Sequence, residues 1–236
     1  MTNSEFSNEF DILFNNIMSN QAPGLDAYEK SVFLTKAQED IVLAYYTGRN
    51  EYGDYLEGTE EVRQYLYTLI KDVEGHSLED EDDEKMLIGI SSNSKFYFID
   101  EYYLAILSEH VKTTDDSLVN VIPVTTDEYL KIKDNPFRGP SKRRVLRLDV
   151  HCAASDNNDN EYLARVQELV TNVNIKEYVA RVLLKPKPII LEDLSGLKIN
   201  GESNETPCTL DSSLHRKILD RAVLLAKASF DSNPGQ

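Results

Sequence analysis

Bulky apolar residues recur every three or four positions near the start of the chain, and most of the positions between them are polar. The series is Phe6, Phe10, Leu13, Phe14, Ile17 and Met18. Residues with this spacing lie on one face of an α-helix, which must be buried to be stable. The first twenty residues therefore predict an amphipathic helix that packs against another part of the protein.

Two polar patterns after the break at residues 20–24 resemble capping boxes, in which the side chain of each partner bonds the backbone of the other. The pairs are Asp26 with Glu29 and Thr35 with Gln38. They predict two helices. The first ends near Leu34, and the second ends before Gly48, which suits a left-handed residue after a helix.

Thr59 is predicted to open a further helix. The inward positions of this helix are Val62, Leu66, Leu69, Ile70 and Val73, and Gly75 follows its end. These patterns together predict a helical region over residues 1–75.

Beyond residue 84 the pattern changes to runs rich in aromatic and β-branched residues, which favour strands. We expect a β-rich domain over residues 85–210. The predicted strands are Met86–Ser91, Phe96–Ile99, Tyr102–Val111, Leu118–Pro123, Val145–Cys152, Tyr162–Thr171 and Tyr178–Lys185. Most of the connections between them are too short for parallel crossovers, so the sheet should be largely antiparallel.

Helical signals return at two places in this half of the chain. Thr125 with Glu128 predicts a short helix over Asp127–Lys133, and Asp211 predicts the start of a helix within residues 211–236. The apolar stripe of this last helix should pack back on the core. The sequence therefore predicts an α+β fold with an N-terminal helical bundle, a largely antiparallel β-sheet domain and a C-terminal helix. Between the last predicted strand and the C-terminal helix lie Pro186 and Pro188, which confine their segment to a sheet edge or an extended arm.

Charge is uneven along the chain. Lys and Arg number 25 against 41 Asp and Glu, a net charge of −16, so the molecule as a whole should repel DNA. Residues 74–84 hold seven carboxylates without a Lys or Arg. We expect residues 76–84 to form an exposed, mobile acidic linker, and a docking site or a calcium loop is the less favoured interpretation.

Positive charge is concentrated in the stretch over residues 135–150, a loop that leads into the predicted strand beginning at Val145. It contains Arg138, Lys142, Arg143, Arg144 and Arg147, and Pro136, Gly139 and Pro140 exclude a helix there. One interpretation is a solvated loop beside an edge strand. The other is a contact with an anion, which could be an acidic surface of a neighbouring subunit or a nucleic-acid backbone. We favour a subunit interface, with Arg143 or Arg144 bonded within its own chain, because adjacent strand residues face opposite ways.

Motifs for catalysis and for cofactor binding are absent from the sequence, including GxGxxG, GxxxxGK[ST], GxSxG and HExxH. His151 and Cys152 are adjacent in a predicted strand and should point to opposite faces, which is wrong for a base and its nucleophile. We therefore predict no catalytic, cofactor or metal site.

Location is indicated by what the sequence lacks. Its two cysteines, Cys152 and Cys208, are too few for a disulfide framework and predict buried thiols in a reducing compartment. The N-terminus lacks the pattern of a signal peptide, and no apolar run approaches the roughly 20 residues of a membrane helix. These features predict a protein that is neither secreted nor embedded in a membrane.

Four stretches, in order along nearly the whole chain, carry a resemblance to a known family. They are NQAPGLDAYEKSVFLTKAQEDIV, NPFRGPSKRRVLRL, KPKPIILEDL and PCTLDSSLHRKILDRAVLLAKA. The chain resembles the ring, or head-tail connector, structural proteins of crAss-like and related short-tailed bacteriophages.

This resemblance implies a virion protein of the head-tail junction, made in the host cytoplasm and without catalytic residues. Twelve copies would form a ring below the portal, join capsid to tail and line the passage of the genome. The implied partners are the portal protein, other neck or tail rings, and DNA that passes without sequence-specific binding. The alternative is a phage-encoded regulator that binds nucleic acid or a host protein through the basic loop. A hydrolase with an unrecognised site is disfavoured because the residues it would need are not grouped.

Overall fold

A computed structural model describes residues 1–17, 24–49, 53–56, 58–78, 89–155 and 161–231, and at residues 17, 152–155, 161–164 and 231 it describes the backbone alone. The chain forms two compact units. The first contains Met1–Ile70 and Lys185–Gln236, and the second contains Lys71–Leu184. The predicted boundaries after residues 75, 84 and 210 remain predictions.

The first unit is helical. Its helices are α1 (Asn3–Ile17), α2 (Ala27–Thr47), α3 (Glu60–Tyr65) and α5 (Ser212–Asp231), and a 3-10 turn covers Tyr67–Leu69. The predicted apolar face of α1 is confirmed, since Phe6, Phe10 and Phe14 are buried. Helix α5 packs against both α1 and α2, with the Phe14 and Phe230 rings 5.6 Å apart. The C-terminal helix thus returns to the helical core, as predicted.

Helix α2 corrects one prediction. The Asp26–Glu29 capping box is present, but the helix runs without a break through Leu34 to Thr47. Thr35 and Gln38 lie inside it and bond an extended segment of the chain. The Thr35 hydroxyl donates to the Ile189 carbonyl at 3.3 Å, and the Gln38 amide donates to the Lys187 carbonyl at 2.7 Å. Their side chains satisfy the backbone of that proline-containing arm, so they do not cap a second helix.

The predicted helix after Thr59 is also corrected. It ends at Tyr65, and strand β1 (Ile70–Ser77) begins after the 3-10 turn. Gly75 therefore lies in a strand and not beyond a helix.

The second unit is a closed barrel. With β1, its strands are β2 (Ser94–Phe98), β3 (Tyr103–Thr113), β4 (Leu118–Pro123), β5 (Val145–Ser155), β6 (Glu161–Val170) and β7 (Ile175–Leu184). They follow the order β1-β2-β6-β5-β4-β3-β7. Among the strand pairs whose register is described, β4 with β5 is parallel and the others are antiparallel. The expectation of helices with a largely antiparallel sheet is confirmed, whereas closure of the sheet was not predicted.

Two apolar clusters stabilise the barrel. The larger one includes Val111, Val145, Leu169 and Tyr178. The smaller one joins helix α4 (Thr126–Ile132) to strand β5, since Tyr129 and Ile132 pack with Leu146 and Leu148. Helix α4 begins as predicted, with the Glu128 N–H donating to the Thr125 hydroxyl at 3.2 Å. Residues on both faces of β5 are therefore buried, which holds the start of this strand in place.

Several predictions fall wholly or partly outside the described residues. Of the predicted strand over residues 86–91, residues 86–88 are not described and residues 89–91 are not in a strand. Of the predicted acidic linker, residues 79–84 are not described, while His76 and Ser77 belong to β1. No helix in the described ranges is long and apolar enough to cross a membrane.

The thiols were predicted to be buried and unbridged. Cys208 is unbridged and half-buried, and its thiol donates to Gln38 Oε1 at 3.4 Å. Burial raises the pKa of this thiol. The side chain of Cys152 lies outside the description.

Candidate functional site

The basic loop runs from the end of α4 to the start of β5 and is shaped by Asn135. The Asn135 carboxamide oxygen accepts from the N–H groups of Phe137 at 2.8 Å and Arg138 at 3.2 Å. Its carbonyl accepts from Gly139 N at 2.8 Å. An asparagine that bonds the backbone two residues ahead is a common way to build a tight turn. The first half of the loop is therefore ordered by its own hydrogen bonds.

Gly139 is required by the close approach of the backbone. A Cβ at this position would lie 2.7 Å from the Lys133 carbonyl oxygen and 2.8 Å from that of Asn135. Both neighbours are backbone atoms, which cannot rotate away as a side chain can. The next residue, Pro140, accepts a hydrogen bond from the Asn172 amide at 3.1 Å. The loop is thus attached to the β6–β7 connection.

A second tight turn carries the remaining basic residues. Ser141 and Arg144 exchange two backbone hydrogen bonds, at 3.0 and 3.1 Å. The Arg144 guanidinium donates to the Phe137 carbonyl. This contact agrees with the expectation that Arg143 or Arg144 bonds within its own chain, and it joins the two halves of the loop.

Three cations and one aromatic ring remain exposed on this loop. Arg138, Lys142 and Arg143 are exposed, and the Phe137 side chain is 82% exposed. Nη2 of Arg138 lies 3.5 Å from Oε1 of Glu128, and both side chains are largely in solvent. This ion pair therefore contributes little to stability. Lys142 and Arg143 have no side-chain partner among the described residues. We call Phe137, Arg138, Lys142 and Arg143 the basic knob.

Arg147 has a different position from the other four basic residues. It is 7% exposed, and its Nε donates to Glu109 Oε1 at 2.8 Å inside the barrel. Tyr178 donates to the other Glu109 oxygen at 2.7 Å, and Asp149 also pairs with Arg147. Burial raises the pKa of Glu109, and the neighbouring Arg147 charge opposes that rise. Because its side chain is bonded inside the barrel, Arg147 is not part of the exposed basic surface that the sequence suggested.

The helical unit has a feature that sequence reasoning missed. An open groove of about 700 Å³ is lined by Glu60, Arg63, Gln64, Tyr67 and Asp211. Tyr67 is 74% exposed. We call these residues the α3 groove. Among its described lining residues only Glu60 belongs to the acid-rich segment 50–62, so the sequence carried little signal for the groove.

The described parts of the chain do not bring metal-binding side chains together in a cluster. They hold no group of three or more His, Cys, Asp or Glu residues that could bind a metal ion. The buried His215 has structural contacts: its Nε2 is 3.0 Å from the Leu210 carbonyl oxygen and its Nδ1 is 2.6 Å from the Met1 amine. Burial lowers the pKa of His215. The surface features of the described residues are the basic knob and the α3 groove.

Comparisons with known proteins identify the family. The model of the family described as phage tail ring protein 3/4 matches residues 1–236. A relative named Ring protein 3, from Bacteroides phage crAss001, is 41% identical over 237 residues, covering 96% of this chain and 95% of the relative. Ring protein 4/5 of the same phage is 36% identical over 240 residues, covering 99% of this chain and 95% of that relative.

The chain therefore belongs to the phage tail ring protein family. This confirms the resemblance found in the sequence and the expectation of a structural virion component that is not an enzyme. A ring is an assembly of several chains, so oligomerisation with ring or tail proteins follows from the family.

Proposed function

We propose that the chain forms a ring of twelve copies at the head-tail junction, below the portal. In this position it would join capsid to tail and line the path of the DNA during ejection. The observation that carries the proposal is the match of the ring protein family to the whole chain. The portal protein and the adjacent neck or tail rings would then be its partners.

The charge of the chain supports the proposed passage of DNA. Each copy has a net charge of −16, and a ring multiplies this negative potential around its axis. A negative wall repels the phosphate backbone and keeps DNA mobile, whereas a positive wall would hold it through counterion release. The basic knob would therefore contact protein and not the genome.

Imaging of purified virions by cryo-electron microscopy tests the proposal directly. We expect density for twelve copies of this chain in a closed ring adjoining the portal. A ring elsewhere in the tail, or a different copy number, would contradict the corresponding part of the proposal.

The regulator alternative predicts a different result with purified protein. A regulator that uses the basic knob should bind double-stranded DNA at micromolar concentration, with an affinity that falls steeply as salt rises. We expect no such binding, because the net charge opposes it. Salt-dependent binding that is lost in Arg143→Glu would favour the regulator.

Reversal of one knob charge should impair assembly much more than folding. Arg143 is exposed, so Arg143→Glu should change the free energy of unfolding by less than about 0.5 kcal/mol. If the knob is an interface, the reversal adds like-charge repulsion, and incorporation into particles should fall severalfold or more. Quantitative mass spectrometry of particles grown with the variant measures this.

Lys198→Glu provides the matched control, because Lys198 is exposed in the helical unit and outside the knob. It should be incorporated normally. Normal incorporation of Arg143→Glu as well would exclude the knob as an assembly contact.

A further inference from the structure

We infer that the basic knob of one chain docks into the α3 groove of a second copy of the same chain. This inference rests on the proposed ring and deepens it, since it names the two surfaces that meet. Unlike surfaces on identical chains make a head-to-tail contact, which closes into a ring when the rotation between subunits allows. Three observations favour this pairing.

The first observation is opposite charge. Residues 135–144 contain four Lys or Arg residues and no Asp or Glu, whereas the described lining of the groove holds two carboxylates, Glu60 and Asp211, and one cation. Within the groove, Glu60 is exposed, and no other described residue pairs with it. Arg63 also lines the groove, but the two lining carboxylates, Glu60 and Asp211, outnumber it. Complementary charge of this kind guides encounter and selects the register of an interface.

The second observation is an exposed aromatic ring on each surface. Phe137 in the knob is 82% exposed, and Tyr67 in the groove is 74% exposed. Aromatic and Arg side chains are enriched in the buried centres of protein interfaces. A guanidinium over a tyrosine ring also gains a cation–π attraction. The acidic run at 74–84, by contrast, has no aromatic residue.

The third observation is that the knob is held in one conformation before it binds. Gly139 has no room for a side chain between the Lys133 and Asn135 carbonyl oxygens, and Arg144 is bonded to the Phe137 carbonyl. A loop that is already ordered loses less conformational entropy on association. The loop that carries the knob is ordered by its own hydrogen bonds, and the groove of about 700 Å³ is open to solvent.

Photo-crosslinking in assembled particles tests which surface Phe137 meets. We would replace Phe137 with benzoylphenylalanine, a photoreactive residue of similar shape, supply the variant during infection, irradiate purified particles and map the crosslinked peptides by mass spectrometry. The expected product has twice the chain mass and joins position 137 to a peptide that contains groove residues, either residues 60–67 or Asp211. The same replacement at Tyr102, which is 92% exposed and outside the loop, is the matched control and should not give this product.

A charge exchange provides a second, independent readout. Glu60→Lys and Arg143→Glu should each lower incorporation by about tenfold, and the double variant should recover to within about threefold of the wild type, because opposite charges meet again. Glu192→Lys is the control. Glu192 is exposed in the same unit and has no partner among the described residues. Thermal unfolding of each purified variant establishes that folding is unchanged.

The outcomes separate this inference from the proposed function. Crosslinks to a different protein, to another region of this chain, or to nothing in particles that contain the ring would overturn the knob–groove contact and leave the ring intact. Additive losses in the double variant would overturn it equally. Absence of the wild-type chain from any ring in the particle would overturn the proposed function and the inference with it, whereas a ring elsewhere in the tail would overturn only the proposed position.

Discussion

Arg147→Met is expected to lower the free energy of unfolding by about 3–5 kcal/mol, because it leaves a buried carboxylate without its cation. Glu109 and Arg147 are both at most 7% exposed, and Nε lies 2.8 Å from Oε1. Methionine fills much of the same volume, so the loss should arise mainly from the unpaired charge. Urea unfolding followed by circular dichroism measures it.

Two variants control for the loss of side-chain volume. In the double variant Glu109→Gln with Arg147→Met both charges are absent, and Gln can still accept from the Tyr178 hydroxyl. We expect it to recover most of the lost stability, because replacing a whole buried pair by neutral groups is often nearly neutral. Arg143→Met on the exposed loop should change stability by less than about 0.5 kcal/mol. A double variant as unstable as Arg147→Met would show that packing, and not charge, causes the loss.

The pH dependence gives a further test of the same cause. Burial raises the pKa of Glu109 above its ordinary value of 4.5. A carboxyl group whose pKa is raised by folding stabilises the fold while it is protonated, and this contribution is lost as pH rises through the folded pKa. Arg147→Met removes the cation that opposes the rise, so the pKa should increase further. The substitution should therefore cost less stability at pH 5 than at pH 8, and an equal cost would contradict the mechanism.

The sequence predicted the helices with long apolar stripes and missed the changes of structure that depend on distant partners. The stripe of α1 determines its own buried face because Phe6, Phe10 and Phe14 lie within one helix. Thr35 and Gln38, by contrast, suit either a capping box or hydrogen bonds to another segment. In the folded chain they bond the Lys187–Ile189 backbone, about 150 residues away. The spacing of residues in the sequence cannot reveal so distant a partner.

The change from helix to strand after Leu69 was missed for the same reason. Val62, Leu66, Leu69 and Ile70 fit a helical period, and a strand has only weak intrinsic preference until its neighbours are present. The neighbour that pairs with the end of β1 is β2, where His76 lies opposite Phe98. Local pattern therefore predicts the class of the fold better than it predicts where an element changes.

At the candidate site the sequence identified the basic residues but not which way each side chain points. Five cations within ten residues suggested one surface, yet Arg147 points into the barrel with Val145 while the knob points outward. A signal was present in the sequence, since Arg147 lies between Leu146 and Leu148 in an apolar strand. A charge at such a position requires a buried partner. Its partner Glu109 lies between Ser108 and His110 in β3, so the sequence gives no such signal for it, and the pairing is visible only in the folded chain.

Gly75→Ala is expected to destabilise the barrel by about 1–3 kcal/mol through overpacking. A Cβ at position 75 would lie 2.4 Å from Cδ1 of Tyr178. The ring cannot easily move aside, because Tyr178 is fully buried and its hydroxyl donates to Glu109. The Tyr178 ring also packs against Tyr97, with 5.3 Å between the ring centroids. Strand β1 must shift instead, which should show as a lower midpoint in urea.

Gly24→Ala is the matched control for Gly75→Ala, because a Cβ there meets nothing within 4 Å. It should leave stability unchanged or raise it slightly, since alanine restricts the unfolded chain more than glycine does. Tyr178→Leu removes the ring that the new Cβ would meet. The Gly75→Ala change should therefore cost clearly less in a Tyr178→Leu background than in the wild type, although Tyr178→Leu is itself destabilising. Equal costs in the two backgrounds would mean that the ring contact is not what requires glycine at position 75.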